Sequence, residues 1–120
     1  MKLEDIYRFF QNPPPTYLGQ ELAVYYVLSI LLTRESCGTE LIQLLEADDS
    51  HYRLSDTVLY SALKFLEDEK AITGYWKKVE GRGRPRRMYR VSSHWLILAE
   101  ELASFWHNYA NQRQQVNNYS

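Results

Sequence analysis

A chain of 120 residues, 45% hydrophobic and 24% charged, suits one globular domain with a core that needs no metal or disulfide staple. Its single cysteine, Cys37, can close no internal disulfide, and neither a secretory leader nor an apolar run of roughly 20 residues can be read from it. A reducing, cytoplasmic setting without a membrane partner is therefore expected. The formal charge of −1 gives no general pull toward polyanions, so any such pull must come from one face.

In chain order, residues 1–12 carry Ile6, Phe9 and Phe10 at helical spacing, and Pro13-Pro14-Pro15 stops that helix. Residues 1–19 are expected to form an arm ahead of the main domain. A buried helix follows from about Gln20 to Thr33, rich in Leu, Val and Ile. After Cys37-Gly38, Thr39 can cap a second helix, TELIQLLEA, with Leu41, Ile42, Leu44 and Leu45 toward the core. A polar link, DDSHYR, leads to Ser55, a suitable N-cap for SDTVLYSALKFLEDEK.

That third helix of the domain carries two faces. Leu59, Ala62, Leu63 and Leu66 make an apolar stripe at i, i+3, i+4 and i+7. Thr57, Tyr60, Ser61 and Lys64 make a second stripe with the same spacing, holding hydroxyls, a ring and a cation but no acid. A solvated surface is the ordinary reading of such a face; what comes next in the chain argues against it.

The segments ITGYWKKV and RRMYRV are rich in aromatic and β-branched residues, and EGRGRP joins them into a β-hairpin with a basic tip. Seven of the chain's 14 Lys and Arg lie between Lys77 and Arg90, against one acid, Glu80. The order helix, helix, polar-faced helix, hairpin defines the fold class: mainly α with a small β-hairpin, a winged helix-turn-helix. Its third helix, with Ser55, Thr57, Tyr60, Ser61 and Lys64, is expected in the major groove of double-stranded DNA. Its wing, with Lys78, Arg82, Arg84, Arg86, Arg87 and Tyr89, is expected along the backbone or in the minor groove, where arginines displace counterions. Glycine lets the tip approach the duplex, and Arg82-Gly83-Arg84-Pro85 resembles the AT-hook of narrow minor grooves. The domain is expected to span residues 20–92.

Residues 93–112 read as a C-terminal helix. Trp95, Leu98, Leu102, Phe105, Trp106 and Tyr109 recur at a three-or-four spacing, more apolar surface than one small domain is expected to cover. A homodimer through this helix is the expected outcome, with Phe9 and Phe10 as contributors and a polar, frayed tail at 113–120.

From Ile30 to about Tyr109 the chain resembles the PadR family of winged-helix transcriptional regulators. The resemblance lies in Ile30-Leu31-Leu32, Gly38-Thr39-Glu40-Leu41, the run Thr57 to Glu67 centred on Tyr60, Gly83-Arg84-Pro85-Arg86-Arg87-Met88-Tyr89, and the aromatic C-terminal helix. It implies a dimeric DNA-binding repressor joined through the C-terminal helix. The chain departs from the family's usual pattern at Thr39, where an aromatic is common, and at Lys70-Ala71, where a glycine is common. It also departs at Ser92-Ser93-His94-Trp95, in place of a Thr-x-x-Gly turn. Family members can bind small effectors near the dimer interface, where Trp95, Trp106 and Tyr109 would stand; the sequence identifies no effector.

An enzyme is not expected. His51, His94 and His107 are scattered without metal-ligand spacing, and Glu67, Asp68 and Glu69 point different ways on one helix, so no cofactor or metal is expected either. The competing reading is a winged-helix module that contacts proteins without DNA; four arginines in its wing would then need an acidic partner.

Overall fold

The computed structural model describes residues 1–49, 51–78, 81 and 83–118, the last six by backbone alone. Helix α1 (Leu3–Gln11) buries none of its residues. Beyond the prolines, β1 (Thr16–Tyr17) pairs in parallel with β3 (Tyr52–Arg53), and the Thr16 and Leu18 amides donate to the His51 and Arg53 carbonyls. Leu18 is buried, so the end of the N-terminal arm is held in the main body.

Helix α2 (Gln20–Leu31) is the central post. It is apolar on most sides, as a helix must be when other elements surround it, and it buries Ala23, Val24, Tyr26, Val27, Leu28 and Leu31. The Tyr26 hydroxyl donates to the Leu41 carbonyl at 2.6 Å, tying α2 to α3 (Gly38–Asp48). Helix α3 begins at Gly38 with Cys37 as its N-cap, ahead of the cap expected at Thr39, and it sinks Leu41 and Leu45. The Cys37 thiol donates to the Glu40 carboxylate at 3.3 Å.

Helix α4 (Asp56–Asp68) completes the helix-turn-helix. Leu59, Ala62, Leu63 and Leu66 are all buried, the stripe the spacing predicts. It ends as Lys70 adopts φ +61°, while the Ala71 amide reaches back to the Leu66 carbonyl at 2.8 Å. Strands β4 (Ile72–Lys77) and β5 (Arg86–Val91) form the antiparallel hairpin, with Gly74 opposite Tyr89 and Trp76 opposite Arg87. A two-residue strand, β2 (Ser36–Cys37), adds to β5 and makes the sheet order β2-β5-β4. A short 3₁₀ turn at Ser93–Trp95 then feeds α5 (Leu96–Asn118), which continues into the segment expected as a polar tail.

Helix α5 packs along α2. Trp106 is 6% exposed and stands edge-on to both Tyr26 and Tyr52, with ring centroids 5.4 Å away in each case. Ala99 and Ala103 are buried too, their small side chains allowing the close approach of the two helices. Among the described residues, no helix is long and apolar enough to cross a membrane.

Candidate nucleic-acid interface

Helix α4 starts where the Ser55 Oγ accepts the Val58 amide at 3.2 Å. Ser55, expected among the DNA-facing residues, thus uses its hydroxyl oxygen to fix the helix start. Thr57, Tyr60, Ser61 and Lys64 lie exposed on the face opposite the buried leucines. Lys64 is within 3.5 Å of Asp68, one turn on, an exposed pair that leaves the ammonium accessible. Tyr60 is half-exposed, and its hydroxyl lies against Gly38: a Cβ there would stand 2.9 Å from it. Glycine at the start of α3 is what lets the ring lie there.

The hairpin rises beside this helix. Lys78 and Arg84 are exposed, Gly81 turns with φ +76°, and Arg82 lies outside the described residues. Alternation along β5 sends Arg86 and Arg87 to opposite faces of the sheet. Arg86 is 3.9 Å from Glu40, which also pairs with Arg34 at 2.8 Å. Arg87 is 3.4 Å from Glu67 and lies over the Trp76 ring, 5.3 Å from its centroid. On the other face, Arg90 lies over Tyr75, whose hydroxyl donates to Glu35.

Tyr89 is placed differently from expectation. It is 5% exposed, because its position opposite Gly74 turns it toward α4 rather than out toward a duplex. Burial raises the proton affinity of its phenol first and Glu67 adds to this, while Arg87 opposes. With Tyr60, Gly38, Thr39, Gln43, Arg86 and Arg87 it lines a hollow between the helix-turn-helix and the wing.

The six residues expected at a dimer interface differ in burial. Trp106 belongs to the chain's own core, with Trp95 and Leu102 packed partly against it. Leu98 and Phe105 are exposed, as are Leu96 and Ile97 nearby, and Tyr109 is at the margin with its ring 5.7 Å from Tyr52. The stripe divides because α5 meets α2 on one side only. Sequence reasoning missed Gly38, Glu40, Glu67, Gly74 and Trp76, whose parts depend on how the elements meet. Among the described residues, no three of His, Cys, Asp and Glu gather as they would around a metal ion.

Residues 27–94, which hold the helix-turn-helix and the hairpin, match the transcriptional regulator PadR-like family. The chain belongs to that family, and its class is that of a transcriptional regulator. Two solved structures resemble it along nearly their whole length. The circadian clock associated protein Pex from Anabaena is 68% identical, with a TM-score of 0.86 over 95% of this chain and 99% of that one. Pex from Synechococcus sp. is 63% identical, with a TM-score of 0.88 over 92% of this chain and 98% of that one. A PadR family transcription regulator from Clostridium difficile shares the fold at 20% identity and a TM-score of 0.59, covering 79% of this chain and 96% of that one. No curated protein matches the chain.

Proposed function

We propose that the protein binds double-stranded DNA as a homodimer and represses a promoter within a circadian clock system. The observation that carries the reading is the exposed face of α4, where Thr57, Tyr60, Ser61 and Lys64 stand beside an arginine-bearing hairpin. In this reading α4 enters the major groove, Thr57 and Ser61 meet base edges, and Tyr60 and Lys64 meet phosphates. Lys78, Arg82, Arg84 and Arg86 add counterion release from the wing, and the acidic remainder of the chain limits indiscriminate binding.

Two copies give a useful site where one reads too few base pairs. The exposed Leu98 and Phe105 of α5, together with Phe9 and Phe10 of the N-terminal arm, supply apolar surface for that association. The operator is then a palindrome or near-palindrome with half-sites about one helical turn apart. The clock assignment follows the Pex structures, which are 68% and 63% identical to this chain.

A nuclease-protection assay of the purified protein on duplexes from clock-gene promoters tests the reading. A protected palindromic segment is expected. Replacing Arg84 and Arg86 with Ala is expected to weaken binding to every duplex. It is also expected to lower the slope of log K against log salt by about one unit for each phosphate left unneutralised. A protein that protects nothing and elutes from duplex DNA at low salt is a protein-binding module instead.

A further inference from the structure

The two neighbouring arginines of β5 have different surroundings. Arg86 is on one face of the sheet with only a 3.9 Å approach to Glu40. Arg87, on the other face, is about one-third exposed but has closer partners. Its guanidinium lies so flat on Gly74 that a Cβ at residue 74 would fall 2.6 Å from Nη2 and 2.7 Å from Cζ. The same group lies over the Trp76 ring, and its Nη2 donates to Glu67 Oε2 at 3.4 Å. Gly74 and Trp76 are alternate residues of β4, so they share the face that Arg87 crosses.

Glu67 lies in the last turn of α4, the helix whose opposite end carries Thr57 and Tyr60. Among the described residues, its pairing with Arg87 is the one ion pair that joins α4 to the hairpin. An Arg87 that reached out to a phosphate would give up the ring, the glycine niche and the carboxylate together. The geometry points to a clasp in which Glu67, through Arg87, sets the angle between the recognition helix and the wing. Glu67 is then a positioning residue for DNA binding, although it is an acid on a helix that approaches a polyanion. The leverage comes from distance: Arg84 lies three residues along the chain from Arg87, up to about 10 Å farther out at strand spacing. A small tilt at the clasp becomes a larger displacement at the tip.

This rests on the DNA-binding reading, and the sign of one substitution separates the two. The probe is a duplex that the wild-type protein selects from a randomised pool; if it selects none, the DNA-binding reading fails, whatever Glu67 does. Given a selected duplex, Glu67→Gln removes a negative charge from the DNA-binding side, so charge alone would make binding tighter. The clasp requires the opposite, a weakening of about tenfold, the size of one specific interaction with the duplex. Arg87→Lys keeps the cation but cannot stack and donate in the same plane, so it is expected to weaken binding to a similar extent. The double variant is expected to be no weaker than either single one, because both disrupt the same pair. The pair is about one-third exposed, so thermal melting is expected to change little and to verify that each variant is folded. Tighter or unchanged binding by Glu67→Gln, full affinity in Arg87→Lys, or additive weakening in the double variant would overturn the clasp.

Discussion

Trp106 stands edge-on to Tyr26, their ring centroids 5.4 Å apart and both side chains buried inside one chain. The C-terminal helix therefore has a core side and a free side, and the two sides predict different mutants. Trp106→Ala is expected to cost about 3–5 kcal/mol and to lower the melting temperature at every protein concentration. Serine at both Leu98 and Phe105 is expected to abolish the concentration dependence of melting that a dimer confers, and to give monomers in sedimentation. Phe105 touches Tyr25 with centroids 5.5 Å apart, so some loss of monomer stability accompanies it, about 1 kcal/mol. If Trp106→Ala proved as stable as wild type, the inward side would be misassigned.

Lys70 makes a second prediction. It follows α4 in the left-handed conformation, φ +61°, with its amide donating to the Glu67 carbonyl at 2.9 Å. A non-glycine residue there carries strain of about 1–2 kcal/mol, partly offset by the extra freedom that glycine has in the unfolded chain. Lys70→Gly is therefore expected to gain about 0.5–1 kcal/mol and to raise the melting temperature by a few degrees. DNA affinity is expected to stay the same apart from the loss of one exposed cation. A lower melting temperature would show that Lys70 contributes more than its backbone strain costs.

Legibility in the sequence followed the length of each pattern. The stripe Leu59-Ala62-Leu63-Leu66 spans a 13-residue helix, long enough for its period to show, and all four residues are buried. The hairpin showed in its composition. Strands β1, β2 and β3 have two residues each and no period at all, so they read as connections. Helix α5 outran its expected end because Asn111 to Asn118 contains no proline or glycine to stop it. In the candidate site, exposure of Thr57, Tyr60, Ser61 and Lys64 follows from helix geometry alone. The burial of Tyr89 and the approach of Arg87 to Trp76 depend on strand register, which a long polar loop leaves open.

Gly38 is expected to matter for binding more than for folding. Alanine there would bring its Cβ to 2.9 Å from the Tyr60 hydroxyl and 3.3 Å from Leu59 Cδ2. The hydroxyl is the far end of an exposed ring that can swing away, whereas the leucine is in the core and must shift slightly. Gly38→Ala is therefore expected to cost no more than about 1 kcal/mol of stability. Loss of the Tyr60 position is expected to weaken duplex binding severalfold, and Tyr60→Ala is expected to do the same. Titrating a fluorescent duplex with both variants checks this; full affinity in Gly38→Ala would mean that Tyr60 binds from another rotamer.

Tyr26 predicts how stability responds to alkali. Its buried hydroxyl donates to the Leu41 carbonyl at 2.6 Å, and burial, with a smaller push from Asp48, lifts its proton affinity well above the ordinary value of 10.0. A phenol whose pKa is raised by folding stays protonated in the native state while the same group ionises in the unfolded chain. Its contribution is complete below pH 10.0 and is lost as the pH climbs from there toward the folded value. The Tyr26 phenol alone steepens the decline by up to about 1.4 kcal/mol per pH unit. Tyr75, through its bond to Glu35, and Tyr89, through burial, shift in the same direction, so the wild-type chain is expected to weaken sharply in that range. Tyr26→Phe loses one buried hydrogen bond and about 1 kcal/mol at neutral pH, but it has no proton to lose. Its denaturation midpoint, measured in urea across the alkaline range, is expected to fall less steeply than that of wild type, so the two curves converge. Parallel curves would mean that Tyr26 ionises in the folded protein as readily as in the unfolded one, and that its hydrogen bond to α3 does not hold the proton.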